Sequence, residues 1–103
     1  AALINLDKQE GHKIAILGDM FELGKEAKQE HQNITDLAIS LNIEQIVFVG
    51  ENFYKSKTDS DKTKHYKSFD DFKTTFNLSQ IEFATILIKG SRGMALERIM
   101  TLL

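Results

Sequence analysis

Three short apolar runs, each closed by a glycine, constrain this chain most. They are Lys13-Ile14-Ala15-Ile16-Leu17 before Gly18, Gln45-Ile46-Val47-Phe48-Val49 before Gly50, and Thr85-Ile86-Leu87-Ile88-Lys89 before Gly90. Their β-branched content and short length favour strands over helices. The hydrophobicity is continuous rather than alternating, so both faces of each strand must be covered. That is the pattern of a parallel sheet between helices.

Between the first two runs, residues 25–41 carry Ala27, His31, Ile34, Leu37, Ala38 and Leu41 at three- and four-residue spacing. This predicts one amphipathic helix. Strand, helix and strand in this order form a βαβ unit, whose crossover is almost always right-handed. Residues 94–103 read as a closing helix, with Met94, Ile99, Met100 and Leu103 toward the sheet. From Lys55 to His65 no apolar residue occurs, which predicts a solvated loop. A weak strand at His65-Tyr66-Lys67 and a helix from Asp70 to Phe76 follow it. Phe48, Phe69, Phe72 and Phe76 are core candidates. The fold class is α/β.

With 103 residues, the chain fits one domain. A net charge of −2 supplies no basic footprint for nucleic acid or an anionic membrane. Cysteine is absent, which excludes disulfides, zinc-thiolate sites and thiol catalysis. No apolar run approaches the ~20 residues of a membrane span. The opening Ala1-Ala2-Leu3-Ile4-Asn5-Leu6 has no initiator Met and no cap, and reads as an entry inside a helix, as expected of a domain from a longer protein.

Ligands of open parallel sheets bind outside the carboxyl ends of the strands. That edge carries Gly18-Asp19, Gly50-Glu51-Asn52 and Gly90-Ser91-Arg92-Gly93. In the last, the glycines allow close backbone approach, Ser91 offers a hydroxyl and Arg92 a forked cation. With a helix start behind them, these groups suit a carboxylate or phosphate. They equally suit a plain helix cap beside a solvated arginine, and spacing does not choose.

The run Gly18-Asp19-Met20-Phe21-Glu22-Leu23-Gly24-Lys25 is not a P-loop. Five residues separate its glycines, and Glu26 rather than Ser or Thr follows the lysine. Nor is it a dinucleotide fingerprint, since no glycine stands two residues after Gly18. An acidic loop remains, in which Asp19 either faces a ligand or binds nearby backbone N–H groups. His31 fits a packing residue better than a metal ligand, because the three histidines lack metal-site spacing. His12 and His65 are expected in solvent. The acidic pair and phosphoacceptor position of a receiver domain do not occur.

Two blocks carry a family resemblance. Ile16-Leu17-Gly18-Asp19-Met20-Phe21-Glu22-Leu23-Gly24, with His31 on the next helix, resembles the Mur ligases. Ile88-Lys89-Gly90-Ser91-Arg92-Gly93-Met94, with Leu96-Glu97, resembles the last strand and helix of the same family's C-terminal domain. The resemblance covers residues 1–103 and is weakest over 55–80. It implies a Rossmann-like three-layer domain with a mostly parallel sheet, whose first strand and Asn-Ala-Asn-Pro-type motif would precede Ala1.

The implied activity is that of the family member joining D-alanyl-D-alanine to a UDP-linked N-acetylmuramoyl tripeptide in peptidoglycan precursor synthesis. ATP would phosphorylate the tripeptide carboxylate, and the dipeptide amine would attack the acyl phosphate. By the resemblance, Asp19, Ser91, Arg92 and Gly93 bind substrate, with Arg92 and its neighbours facing the incoming carboxylate. ATP and magnesium would be held mainly by a central domain, so this chain alone would be an inactive, cytoplasmic, monomeric positioning domain without a catalytic residue, metal or cofactor of its own. A free-standing anion-binding α/β module is the competing expectation.

Overall fold

In the computed structural model, residues 2–20, 25–56, 58, 60–75 and 85–90 are described. In chain order the elements are α1 (Ala2–Asp7), β1 (Lys13–Gly18), α2 (Ala27–Ser40), β2 (Gln45–Val49), α3 (Glu51–Tyr54), β3 (Thr63–Tyr66), α4 (Phe69–Thr75) and β4 (Thr85–Lys89). The four strands form one sheet in the order β3-β2-β1-β4. Every pairing is parallel, as the continuous apolar runs require.

The central strands separate two packed faces. On one, Ile14, Ile16, Val47 and Val49 meet Phe69 and Phe72, with Tyr66, Ile86 and Ile88 against them. On the other, Ala15, Leu17, Ile46 and Phe48 meet Leu3, Leu6, Ala38, Ile43 and Phe53. Every residue of β1 is buried. Alternate residues of one strand thus serve opposite layers. Each fully buried large side chain contributes roughly 1.5–3 kcal/mol, and Phe48, Phe53 and Phe72 are among the largest of them.

Short α1 is too brief to persist alone, and three contacts tie it down. Buried Lys13 donates from Nζ to the Asp7 carbonyl at 3.0 Å, placing a cation at the helix C-terminus. Asp7 Oδ1 accepts the Asn42 N–H at 2.6 Å. Leu3 and Leu6 enter the core beneath.

The expected strands at 13–17, 45–49 and 85–89 are present, but several local expectations shift. The helix over 25–41 is α2, yet its buried residues are His31, Thr35 and Ala38, while Leu37 is 38 % exposed. Thr35 can lie inside because its hydroxyl donates to the His31 carbonyl at 2.9 Å. Strand β3 begins two residues before the expected start, so the solvated loop is shorter than its polarity suggested. Helix α4 starts at Phe69, whose ring enters the core. The single turn of α3 was not expected. Phe76 and the closing helix over 94–103 lie outside the described residues.

Candidate functional site

The chain steps outward from β1 to β2 to β3, then returns to the other side of β1 as β4. The order therefore reverses between β1 and β4, the kind of switch point outside which ligands of open parallel sheets bind. The register pairs Leu17 with Lys89, so the chain leaves both strands at one place, through Gly18-Asp19 and Gly90. Ser91, Arg92 and Gly93 lie outside the described residues. Topology brings the described parts of the two recognised blocks, residues 16–19 and 88–90, to the same corner of the sheet.

Asp19 is buried, at 3 % exposure. Its N–H donates to the Val49 carbonyl at 3.1 Å, which extends the β1–β2 ladder by one bond. Its carboxylate crosses to the next loop, where Oδ2 accepts the Asn52 N–H at 2.8 Å and Oδ1 the Phe53 N–H at 3.0 Å. These are first-turn donors of α3, which have no partner within the helix. Asp19 thus caps a helix from a distant loop, with charge-assisted bonds that are stronger than neutral ones.

Gly50 makes that reach possible. Its φ of +124° lies where L side chains are strained. A Cβ at this position would also overlap the Asp19 carboxyl group. The bare backbone lets the carboxylate lie flat against the β2–α3 turn.

His31, the residue after the first turn of α2, completes the node. Its Nε2 accepts the Met20 N–H at 3.0 Å, and its Nδ1 faces the Ala27 carbonyl at 2.5 Å. Only a lone pair can accept an N–H, so Nε2 is unprotonated and the proton resides on Nδ1, donating to Ala27. The 3.9 Å approach of Nε2 to Asp19 Oδ1 is consequently a packing contact and not an ion pair. The Phe53 ring meets the imidazole edge-on at a centroid distance of 4.6 Å. Both nitrogens of His31 hold backbone, which gives the packing role a mechanism.

A second polar thread runs behind it. Thr35 Oγ1 is 3.0 Å from Ser56 Oγ, which donates to the Phe53 carbonyl at 2.7 Å. Ser56 lies 3.5 Å from His65 Nε2. His65 stacks on Phe48 at 4.7 Å, so it is half-buried and not solvated as expected. Burial lowers its pKa below the ordinary histidine value of 6.5. His12 is exposed, as the sequence suggested.

Among the described residues, no group of three or more His, Asp or Glu side chains could hold a metal ion. None of their helices is long and apolar enough to cross a membrane. Sequence reasoning pointed to Gly50-Glu51-Asn52 as part of the edge but missed their tie to Asp19. That tie spans more than thirty residues, and no local signal announces it.

No protein-family model matches the chain. It is 30 % identical over 101 residues, 96 % of its length, to UDP-N-acetylmuramoyl-tripeptide–D-alanyl-D-alanine ligase of Escherichia coli. It is 33 % identical over 94 residues to the ligase of the same name from Borreliella burgdorferi. Among solved structures, a crystal structure of MurF from Acinetobacter baumannii superposes with a TM-score of 0.84 at 30 % identity, covering 98 % of this chain. The chain spans about a fifth of these proteins, 22 % and 20 % of the two ligases and 23 % of the crystallised chain. Over nearly all of its own length, this chain is homologous to one domain-sized part of the UDP-N-acetylmuramoyl-tripeptide–D-alanyl-D-alanine ligases, members of the Mur ligase family.

Proposed function

We propose that the chain is the C-terminal, substrate-positioning domain of an ATP-dependent amide ligase of peptidoglycan precursor synthesis. The protein would join D-alanyl-D-alanine to UDP-N-acetylmuramoyl-tripeptide. ATP would transfer its γ-phosphoryl group to the tripeptide carboxylate, releasing ADP. The dipeptide amine would then attack the acyl phosphate and release phosphate as the amide forms. Such an enzyme works where its soluble precursors are, in the cytoplasm.

One observation carries this reading. The two blocks that resemble the family lie on adjacent strands that end together at the reversal point of the sheet, in a chain whose fold as a whole is similar to a MurF structure. In this reading Ser91, Arg92 and Gly93 meet the carboxylate of the incoming dipeptide. Arg92 would grip it through two parallel hydrogen bonds. Asp19 serves the same corner by holding the β1 and β2 loops in register. Its oxygens already accept two backbone donors, so it acts as a positioning residue.

Among the described residues, no cluster of carboxylates and histidines could hold magnesium. The ATP that reacts, and its magnesium, would be held mainly by the rest of the protein. This domain's contribution is orientation and closure, which can lower a barrier by several kcal/mol.

The test is Arg92→Ala in the whole protein. The KM for D-alanyl-D-alanine should rise about 10- to 100-fold, the loss of one charge-assisted contact of roughly 1.5–3 kcal/mol, while the KM for ATP stays within about twofold. An unchanged dipeptide KM would make Arg92 a solvated residue. The 103-residue chain assayed alone should show no turnover.

A further inference from the structure

Beside the Asp19 node, an open cleft of about 500 Å³ lies between the start of α2 and the end of α3. Lys25, Lys28 and Lys55 line it, together with Gln29, Gln32, Asn52 and Ser56. We propose that this cleft is an anion site that takes a polyphosphate chain, either free or carried by a nucleotide.

Charge is the first argument. The three lysines are exposed, and among the described residues their ammonium groups have neither an ion pair nor a hydrogen-bond acceptor. Among the described residues, no carboxylate lines the cleft. Glu26, Glu30 and Glu51 stand on the same elements but outside its lining. Lys28 stands in the first turn of α2, and Lys25 just before the helix. They face the positive pole of the helix as well. No side chain caps that helix start. An anion in the cleft would relieve both costs together.

Size and wall chemistry select the kind of anion. The volume lies in the range of small-molecule sites and exceeds the room one phosphate group needs. The described lining side chains end in amides, a hydroxyl and ammonium groups carried on aliphatic stems, with no aromatic ring among them. None of these described side chains would stack on a base, so among them recognition rests on the phosphate chain. Asn52 connects the cleft to the node, because its backbone N–H is held by Asp19.

The experiment is calorimetric titration of the chain with inorganic tripolyphosphate at low ionic strength. Binding is expected with a Kd of roughly 10–100 μM, falling in affinity as salt is added. The double variant K25Q/K28Q should weaken it at least about tenfold, and adding K55Q should abolish it. Removal of the same charge at K8Q/K73Q should leave it unchanged. All of these lysines are exposed, and circular dichroism checks that each variant keeps its fold.

ATP should bind within about threefold of tripolyphosphate, which assigns recognition to the phosphates. Binding of ATP with no binding of tripolyphosphate would overturn the proposal, as would equal loss in K8Q/K73Q. Salt-independent binding, or none to either ligand, would overturn it too. Displacement of tripolyphosphate by a single-stranded oligonucleotide at equal phosphate concentration would make the surface a nucleic-acid contact and also reject it.

Discussion

Two neighbouring polar regions at the carboxyl edge of the sheet are built in opposite ways. In the node of Asp19, His31 and Gly50, the carboxylate and the imidazole both spend their bonds on backbone groups. In the cleft alongside, three ammonium groups are aimed at solvent with no bonded partner among the described residues. A buried polar group must be paired or it costs about 1–3 kcal/mol, so the first region is fixed by the fold. The second pays no such penalty and is free to meet a ligand. Polar residues at one sheet edge therefore divide into those that hold the edge together and those that remain available.

The contrast breaks most severely at Gly50. Gly50→Ala puts a methyl group into the Asp19 carboxyl at a φ reserved for glycine. A loss of about 3 kcal/mol or more is expected from backbone strain and the severed cap together. Urea unfolding measures it, and a loss below about 1 kcal/mol would mean that the turn adapts.

Asp19→Asn comes next. It removes the charge and turns an N–H₂ toward one of two N–H donors, at an expected cost of about 2 kcal/mol. Substituting the cleft lysines should cost almost nothing in stability, which is the other half of the comparison. If Asp19→Asn were equally silent in urea unfolding, the node would not be the fixed region.

The smallest effect concerns His65. Burial keeps its folded pKa below 6.5, whereas in the unfolded chain it protonates normally near 6.5. As pH falls through 6.5 toward the folded value, the unfolded state binds more protons and stability drops. Above 6.5 this contribution is fully present. His65→Gln should flatten stability against pH in that window while leaving the alkaline side unchanged.

These regions were not equally legible in the sequence. Strands β1, β2 and β4 could be read because continuous β-branched runs stop at glycine. Strand β3, Thr63-Lys64-His65-Tyr66, is polar and lies at the sheet edge. Its position is set by pairing with β2, and so it was displaced by two residues. The helix over 25–41 was correctly typed, and His31, Ile34, Ala38 and Leu41 of its expected stripe face the core, but Leu37 and Thr35 exchange places. Hydropathy favours Leu37 over Thr35, yet Thr35 satisfies its hydroxyl and Leu37 points away.

Asp19 could be picked out as notable, and backbone binding was one of two readings open for it. Its donors on α3 could not be identified, because they come from a loop that only the parallel pairing brings near. The same holds for Gly50, whose importance follows from what lies against it and not from its neighbours in the chain. His65 was misplaced in solvent because nothing local reveals its stacking on Phe48.

The strand order has a kinetic consequence. Pairing β1 with β2 closes the stretch from Asp19 to Glu44, while pairing β1 with β4 closes the stretch from Asp19 to Ala84, more than twice as long. Each doubling of a closed loop adds about 0.6 kcal/mol of entropy cost, and distant contacts slow folding generally. The β1–α2–β2 half, with its Asp19 tether, can therefore assemble first and serve as a template. The corner where Gly18-Asp19 and Gly90 come together forms only when β4 docks, so a growing chain completes this edge of the sheet after the β1–β2 half.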